Sequence, residues 1–364
     1  MRKLHEIYRK ITKREGGYMW IGACLTPLSI LYGLSVTLKR QWYESENRRV
    51  RLPVPVISVG NIEVGGTGKT PVTIWLANRI HGMGYKVLVV ARNFGAGKTP
   101  GRVRPDTMDT RKNYTDEVLL LAESLRGKCT VYAGKSKTET AIKGLRAERP
   151  DVILIDDGFQ HFRLHRDLDL VILDFKSPFG NGELLPAGTL REYPSAVSRA
   201  DYIWINRVST GMSAEWTKRK LLDYNWKAPM LFSRIEHTGL KYVGGGSHNG
   251  MPGGMLYAFC GIGKPESFRN SLEEAGILLA GMEIFPDHYE YSPGDLVHLR
   301  NQVRVTRASG LITTEKDAVK LRGIPGTGDV LVQTVNLEVT GSVAELMKHV
   351  QELVEGEGKR DDID

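Results

Sequence analysis

The sequence predicts an α/β protein: a mostly parallel sheet with helices on both faces, a smaller second α/β region, and an apolar helix at the N-terminus. Three observations predict it. Short β-branched runs alternate with helix-length segments, which is the pattern of repeated strand, helix, strand crossovers. A glycine-crowded stretch between residues 244 and 254 interrupts the series, and a second, shorter series follows it. Finally, Gly16 to Leu38 is a run of 23 residues without a formal charge, long enough to span a bilayer. At 364 residues the chain has room for two domains and a sizeable core.

The N-terminal run contains Tyr18, Trp20, Leu25, Leu28, Leu31 and Leu34, but also Pro27, Ser29 and four glycines. Basic residues flank it on both sides, Arg2 to Arg14 before and Lys39 and Arg40 after, which weakens a simple spanning topology. An interfacial helix held to anionic lipid fits at least as well. A buried soluble helix is the third reading. Residues 1–51 carry 11 Lys or Arg against four Glu, whereas the rest carries 39 basic and 38 acidic side chains. The body is therefore nearly neutral, and the excess of charge belongs to the N-terminal segment and argues for no nucleic-acid partner. Three widely spaced cysteines offer neither a disulfide framework nor a metal knuckle, which points to a reducing compartment.

After this segment, Val54 to Val59 reads as a buried strand, Gly60 to Gly68 as a loop, Val72 to Met83 as a helix and Lys86 to Val90 as the next strand. Further strands are expected at Thr130–Ala133, Val152–Ile155, Leu168–Leu173 and Tyr202–Asn206, with helices from Asp116 and from a Ser136/Glu139 capping box. The second series comprises strands at Leu256–Cys260, Met282–Phe285, Leu311–Thr314 and Val330–Val332, helices from Pro265 and Pro293, and a last helix opened by Ser342 and Glu345. The expected divisions are a membrane-associated helix at 1–40, a nucleotide-binding domain at 41–228, a hinge or linker at 229–254 and a smaller α/β domain at 255–364.

The chemistry-bearing segment is Gly60-Asn-Ile-Glu-Val-Gly-Gly-Thr-Gly-Lys-Thr-Pro71, placed between strand and helix. Small residues let backbone N–H groups converge on phosphate oxygens, Lys69 adds positive charge, and the Thr70 hydroxyl can ligate Mg²⁺. Glu63 stands where the strict Walker pattern has glycine, so the assignment rests on context. That context includes Val152 to Asp157, an apolar strand ending in the paired acids Asp156 and Asp157, where P-loop proteins place a metal carboxylate. A P-loop NTPase-like sheet is the fold expected. An Asp capping the following helix is the plainer alternative for this pair. Asp116 and Glu117 open a helix, where acids are favoured anyway, and His288 by spacing alone is a structural histidine. His165-Arg-Asp-Leu168 resembles a protein-kinase catalytic loop, but Ile172 stands where that loop needs Asn.

Several segments together resemble one family, the tetraacyldisaccharide 4'-kinases of lipid A synthesis. They are Ser58 to Pro71, Asp116-Glu117, Asp156-Asp-Gly-Phe-Gln-His161, Leu185-Pro-Ala-Gly-Thr-Leu-Arg-Glu192, Gly261-Ile-Gly263, Phe285-Pro-Asp-His-Tyr289 and Thr313-Thr-Glu-Lys-Asp317, in family order over almost the whole chain. The resemblance implies transfer of phosphate from ATP, with Mg²⁺, to the 4'-hydroxyl of a tetraacylated glucosamine disaccharide 1-phosphate at the cytoplasmic face of a bacterial inner membrane, with no obligate protein partner. It implies Asp116 as general base and His288 as its partner across the cleft. Nucleotide contacts fall to Glu63, Val64, Gly65, Gly66, Thr67, Gly68, Lys69, Thr70, Gln160 and Glu192, metal contacts to Thr70, Glu117, Asp156 and Asp157, and substrate contacts to Arg92 and Arg191. Ala91-Arg-Asn-Phe-Gly95 and Val118 depart from the family's Ser-Arg-Gly-Tyr-Gly and Pro. The competing classes are a membrane-associated NTPase switch or metallochaperone and a degenerate nucleotide-binding scaffold. Thr314-Glu-Lys-Asp317 has the wrong order for a guanine-specific motif, no Cys-x-x-Cys exists, and Lys69, Thr70, Asp116, Asp156 and His288 are intact.

Overall fold

The computed structural model describes residues 18–45, 48–93, 99–104, 113–208, 219, 221, 223, 224 and 227–356. The basic cluster at residues 2–14, the departure at 94 and the charged tail beyond Gly356 lie outside the described residues. In chain order the elements are α1 (Tyr18–Glu44), β1 (Val56–Gly60), α2 (Lys69–Gly82), β2 (Val87–Arg92), β3 (Gly101–Arg102), α3 (Asp116–Ser124), β4 (Thr130–Gly134), α4 (Lys137–Glu148), β5 (Val152–Asp156), β6 (Leu168–Asp174) and β7 (Tyr202–Asn206). Then follow β8 (Met230–Tyr242), β9 (Ser247–His248), β10 (Leu256–Cys260), α5 (Pro265–Glu274), β11 (Leu279–Ile284), α6 (Pro293–Thr306), β12 (Gly310–Thr314), α7 (Glu315–Leu321), β13 (Leu331–Gly341) and α8 (Val343–Gly356).

These strands form one 13-stranded sheet in the order β11-β10-β12-β13-β8-β7-β6-β1-β5-β2-β4-β3, with β9 on β8. Pairing is parallel except at β13/β8, β3/β4 and β8/β9. Side chains on a strand alternate between faces, and the packing follows. From β1 and β5, Ile57, Val59, Val152 and Leu154 face a core built with Trp75 and Leu76 of α2, Leu121 of α3 and Leu346 and Val350 of α8. Val56, Ile153 and Ile155 face the opposite layer, where α4 contributes Ala141. Trp75 and Trp204 meet edge to face, 5.1 Å between ring centroids. The helices on both faces, and the parallel strands buried on both, are those the alternation predicts.

The stretch 229–254 departs from the linker expected there. Residues 230–242 are a 13-residue strand, β8, parallel to β7 on one side and antiparallel to β13 over 11 register pairs on the other. Its buried residues Leu231, Ser233 and Leu240 are interspersed with exposed Arg234, Glu236 and Thr238, a half-buried strand pattern that the glycines of 244–254 overshadow. The glycine cluster itself begins with a turn at Val243–Gly246 and β9. In addition α8, at the far end of the chain, packs on the core of the N-terminal strands.

Within Trp20–Glu44 of helix α1 an 18-residue window reaches a mean hydropathy of 1.7. The helix docks by one face only. The Ser29 hydroxyl donates to Leu184 O at 3.0 Å and accepts from Ala187 N–H at 3.0 Å. A Cβ at Gly33 would meet Leu184 Cδ1 at 2.5 Å, so the close approach needs glycine. Trp20, Leu28, Ile30, Leu31, Leu34, Leu38 and Trp42 point outward and are exposed, which corrects the reading of this helix as a buried soluble element.

The Trp204 ring is fully buried, and its indole N–H donates to Ser233 Oγ at 2.7 Å. Trp204→Ala is expected to cost about 3–5 kcal/mol, the range for truncating a large buried aromatic. Urea unfolding of the detergent-solubilised protein measures it.

Candidate active site

The phosphate loop leaves the fully buried β1 at Gly60, where a Cβ would lie 2.7 Å from Phe159 N, and enters α2 at Gly68 with φ 89°. Such a backbone is open to glycine and strained for other residues. The loop is braced from inside. Asn61 Nδ2 donates to Glu63 O at 2.7 Å and to Thr67 Oγ1 at 2.8 Å, and Asn206 Nδ2 donates to Thr67 O at 2.8 Å. Asn206 is oriented in turn by Ser233, whose hydroxyl donates to its Oδ1 at 2.9 Å. The loop's rim is fixed by Val64 N–H to Thr189 O at 2.7 Å and by the Thr189 hydroxyl to Glu63 Oε1 at 2.8 Å. Burial pushes the Glu63 carboxyl up. Val64, Gly65 and Gly66 are exposed, Thr67 is buried below them, and Lys69 and Thr70 are half-buried at the first turn of α2.

Asp156 ends β5 and accepts the Thr73 hydroxyl at 2.8 Å. Burial first, and the neighbouring charge of Asp157 second, raise its carboxyl to about 6. Asp157 is opposite in character. Burial alone would raise it, but Lys69 at 3.5 Å, Lys137 and Arg191 outweigh that and hold it well below the usual range. Arg191 Nη1 lies 2.9 Å from both Asp157 oxygens, an ion pair that the sequence did not indicate. Lys137, buried at the start of α4, donates to Asp157 O, and burial lowers its ammonium to about 8.

Gln160 and Glu192 lie under the loop. Gln160 Nε2 donates to Asn61 O and to Glu192 Oε1, both at 2.9 Å, and Arg199 Nη2 lies 2.9 Å from Glu192 Oε2. These polar groups support the loop from behind. Arg92 is exposed at the end of β2. Glu117 is exposed on the first turn of α3 while its neighbour Asp116 is buried.

The donor set suits Mg²⁺, which takes one or two carboxylates and leaves its remaining positions to phosphate and water oxygens. Asp156 is the carboxylate whose burial and like-charged neighbour disfavour ionisation, so a cation beside it offsets an existing cost. Asp157 is already neutralised by three cations. Among the described residues no group of three or more His, Cys, Asp or Glu is gathered.

The opposite wall comes from the C-terminal strands. His288 follows β11 in a left-handed backbone, φ 59°, and its Nδ1 lies 2.8 Å from Asp116 Oδ1. The two residues that the sequence could not join are in contact. Sequence reasoning gave no role to two lysines of α7: Lys316 Nζ is 3.5 Å from Asp116 Oδ2 and 3.1 Å from Asp287 Oδ1, and Lys320 Nζ is 3.8 Å from Asp116 Oδ2. Lys316 lies inside the Thr313–Asp317 segment that carries the resemblance, which was the available signal. Burial would raise Asp116, but the bond from His288 and the charges of Lys316 and Lys320 bring it down to about 2. The bond to Asp116 raises His288 in return. Fully buried Asp317 sets this wall, accepting Gly261 N–H, the Tyr291 hydroxyl and the Thr314 hydroxyl.

Asp116 is thus an ionised carboxylate that can accept a proton. The family model described as "Tetraacyldisaccharide-1-P 4'-kinase" matches residues 21–355. The chain is similar to the tetraacyldisaccharide 4'-kinases of Syntrophobacter fumaroxidans, at 38% identity over 85% of this chain and 81% of that one, and of Halorhodospira halophila, at 37% over 86% and 88%. It is also similar to the crystal structure of the "apo" form of LpxK from Aquifex aeolicus in complex with ATP, with a TM-score of 0.73 and 27% identity, covering 92% of this chain and 99% of that one.

The pairing has a pH signature. A histidine raised by its partner stabilises the fold fully below its unfolded value, 6.5, and loses that contribution as pH rises through the higher folded value. The difference in thermal midpoint between wild type and His288→Gln is therefore expected to be largest below pH 6.5 and to shrink above it, measured by thermal scans across pH 5 to 9.

Proposed function

The chain belongs to the tetraacyldisaccharide-1-P 4'-kinase family, and from that membership we propose how its residues divide the work. The protein is a kinase that transfers the γ-phosphoryl group of ATP, with Mg²⁺, to the 4'-hydroxyl of tetraacyldisaccharide 1-phosphate in lipid A synthesis. A hydrolytic switch and an inactive scaffold are set aside by that membership.

The observation that carries the division of roles is the 2.8 Å contact of Asp116 with His288 beside Lys316. The 4'-oxygen bonds to the γ-phosphorus while the bond from phosphorus to the β–γ bridging oxygen breaks, and ADP leaves. The hydroxyl proton goes to Asp116. A carboxylate held near 2 is a weak base, and it suffices because the hydroxyl becomes strongly acidic only late, as its oxygen engages phosphorus in a loose transition state. His288 keeps the carboxylate aimed, and its half-exposed ring offers the proton a path to solvent. The loop N–H groups and Lys69 bind the phosphates. Thr70 and Asp156 would hold Mg²⁺, which when bound neutralises charge on the phosphate oxygens. Glu117 lies beside the base and completes the acidic rim. Gln160, Glu192 and Arg191 act from behind, the first two on the loop and the third on Asp157.

The inner membrane's cytoplasmic face is the location this reading assigns, where ATP and a membrane-resident acceptor meet. The exposed apolar face of α1 and the basic residues around it support it.

Labelled γ-phosphate transfer to tetraacyldisaccharide 1-phosphate in mixed micelles tests the reading. Asp116→Ala should keep ATP affinity and lose turnover by about 10²- to 10⁴-fold, the usual worth of a general base; a loss of ATP affinity instead removes Asp116 from that role. For the membrane claim, combining Trp20→Ser, Leu31→Ser and Leu34→Ser spares the docked face and should release the protein from anionic vesicles in flotation. Unchanged flotation rejects the anchoring.

A further inference from the structure

Asp174, the last residue of β6, is buried and uses both of its oxygens. Oδ1 accepts the Lys176 N–H at 3.1 Å, and Oδ2 takes Arg207 Nη1 at 2.6 Å and Lys264 Nζ at 3.0 Å. Arg207 follows β7 in a left-handed backbone, φ 63°, fixed by its N–H donating to Asn206 Oδ1 at 2.8 Å. Its other terminal nitrogen donates to the carbonyl of Gly66, next to the Thr67 carbonyl held by Asn206. One dipeptide therefore grips two successive carbonyls of the phosphate loop. A peptide whose carbonyl is pulled one way presents the following N–H the other way, and an anion cradle depends on that orientation. The grip is tight: a Cβ on Gly68 would sit 2.0 Å from Asn206 Nδ2.

Lys264 arrives from elsewhere. It ends the turn after β10, 90 residues from Asp174 in sequence. The same turn is fixed by Gly261 N–H donating to Asp317 Oδ2 at 3.1 Å, and Asp317 also pairs with Lys320 at 2.9 Å. The wall that carries the acceptor base's partners is thus continuous with the contact on Asp174.

We propose that Lys264 is a positioning residue that sets the phosphate loop for nucleotide through Asp174 and Arg207, from the wall that carries His288. The inference rests on the kinase reading above and deepens it. Lys264 hydrogen-bonds Asp174 and holds that carboxylate where it anchors the Arg207 guanidinium, while its charge also acts on Glu63 of the loop. The loop alone is then incomplete, and its affinity for ATP depends on a residue contributed by the opposite wall.

The test is ATP affinity by calorimetry without lipid, alongside lipid KM in the transfer assay. Lys264 is half-exposed, so Lys264→Ala should fold, and a thermal scan checks it. We expect ATP affinity to fall about tenfold, Lys264→Arg to restore most of it, and lipid KM to stay unchanged. Asp174→Asn should reproduce the loss, and the double variant should be no worse than either single, since all act along one chain. Unchanged ATP affinity in Lys264→Ala overturns the proposal. So do additive losses in the double variant, which would make Lys264 a direct phosphate ligand, and so does a rise in lipid KM alone. If wild type binds ATP but yields no phosphorylated lipid, the kinase reading fails, while the binding measurements still decide the role of Lys264.

Discussion

Strand β8 is the joint on which the site depends. It is hydrogen-bonded along both edges, parallel to β7 and antiparallel to β13, so the C-terminal strands extend the N-terminal sheet without a gap. A sheet of this kind resists shear because every slip breaks a ladder of hydrogen bonds. That rigidity lets residues 172 positions apart, Asp116 and His288, meet at hydrogen-bond distance. It also reaches inward, because Ser233 on β8 ties Trp204 in the core to Asn206 under the phosphate loop.

On this frame the charges are sorted. Three carboxylates have basic partners: Asp116 has His288, Lys316 and Lys320, Asp157 has Lys69 and Arg191, and Asp174 has Arg207 and Lys264. Asp156 shares a hydroxyl with Thr73 and stays costly to ionise. Partly buried carboxylates without compensation would take up protons. The three compensated acids are therefore held as anions, whereas burial and the charge of Asp157 disfavour ionisation of the fourth.

The parallel strands, the loop between β1 and α2 and the acids ending β5 were legible because each follows from local pattern: β-branched runs, clustered glycines, and charge placed where packing gives no reason for it. The long strand β8 was not, since the glycines just after it mask its alternation. Lys316 and Lys320 were hidden for another reason. A lysine on a short helix reads as a solvated residue, and only the fold turns these two onto Asp116. The same holds for Arg191, whose partner Asp157 lies 34 residues away. Its role toward substrate was what the family resemblance implied, and the ion pair could be seen only in three dimensions.

The docking of α1 has a consequence for how the acceptor is met. Ser29 and Gly33 seat the helix on the turn at 184–187, and the strand of chain leading from that turn carries Arg191 and Glu192 to the loop. The height of the cleft above the apolar face of α1 is thereby built into the molecule. With that face immersed in lipid, as proposed above, encounters would occur within a plane. The quantity that governs the rate is then the number of acceptor molecules per unit of surface, and dilution with inert lipid slows the enzyme even when the total amount of acceptor in the vessel is constant.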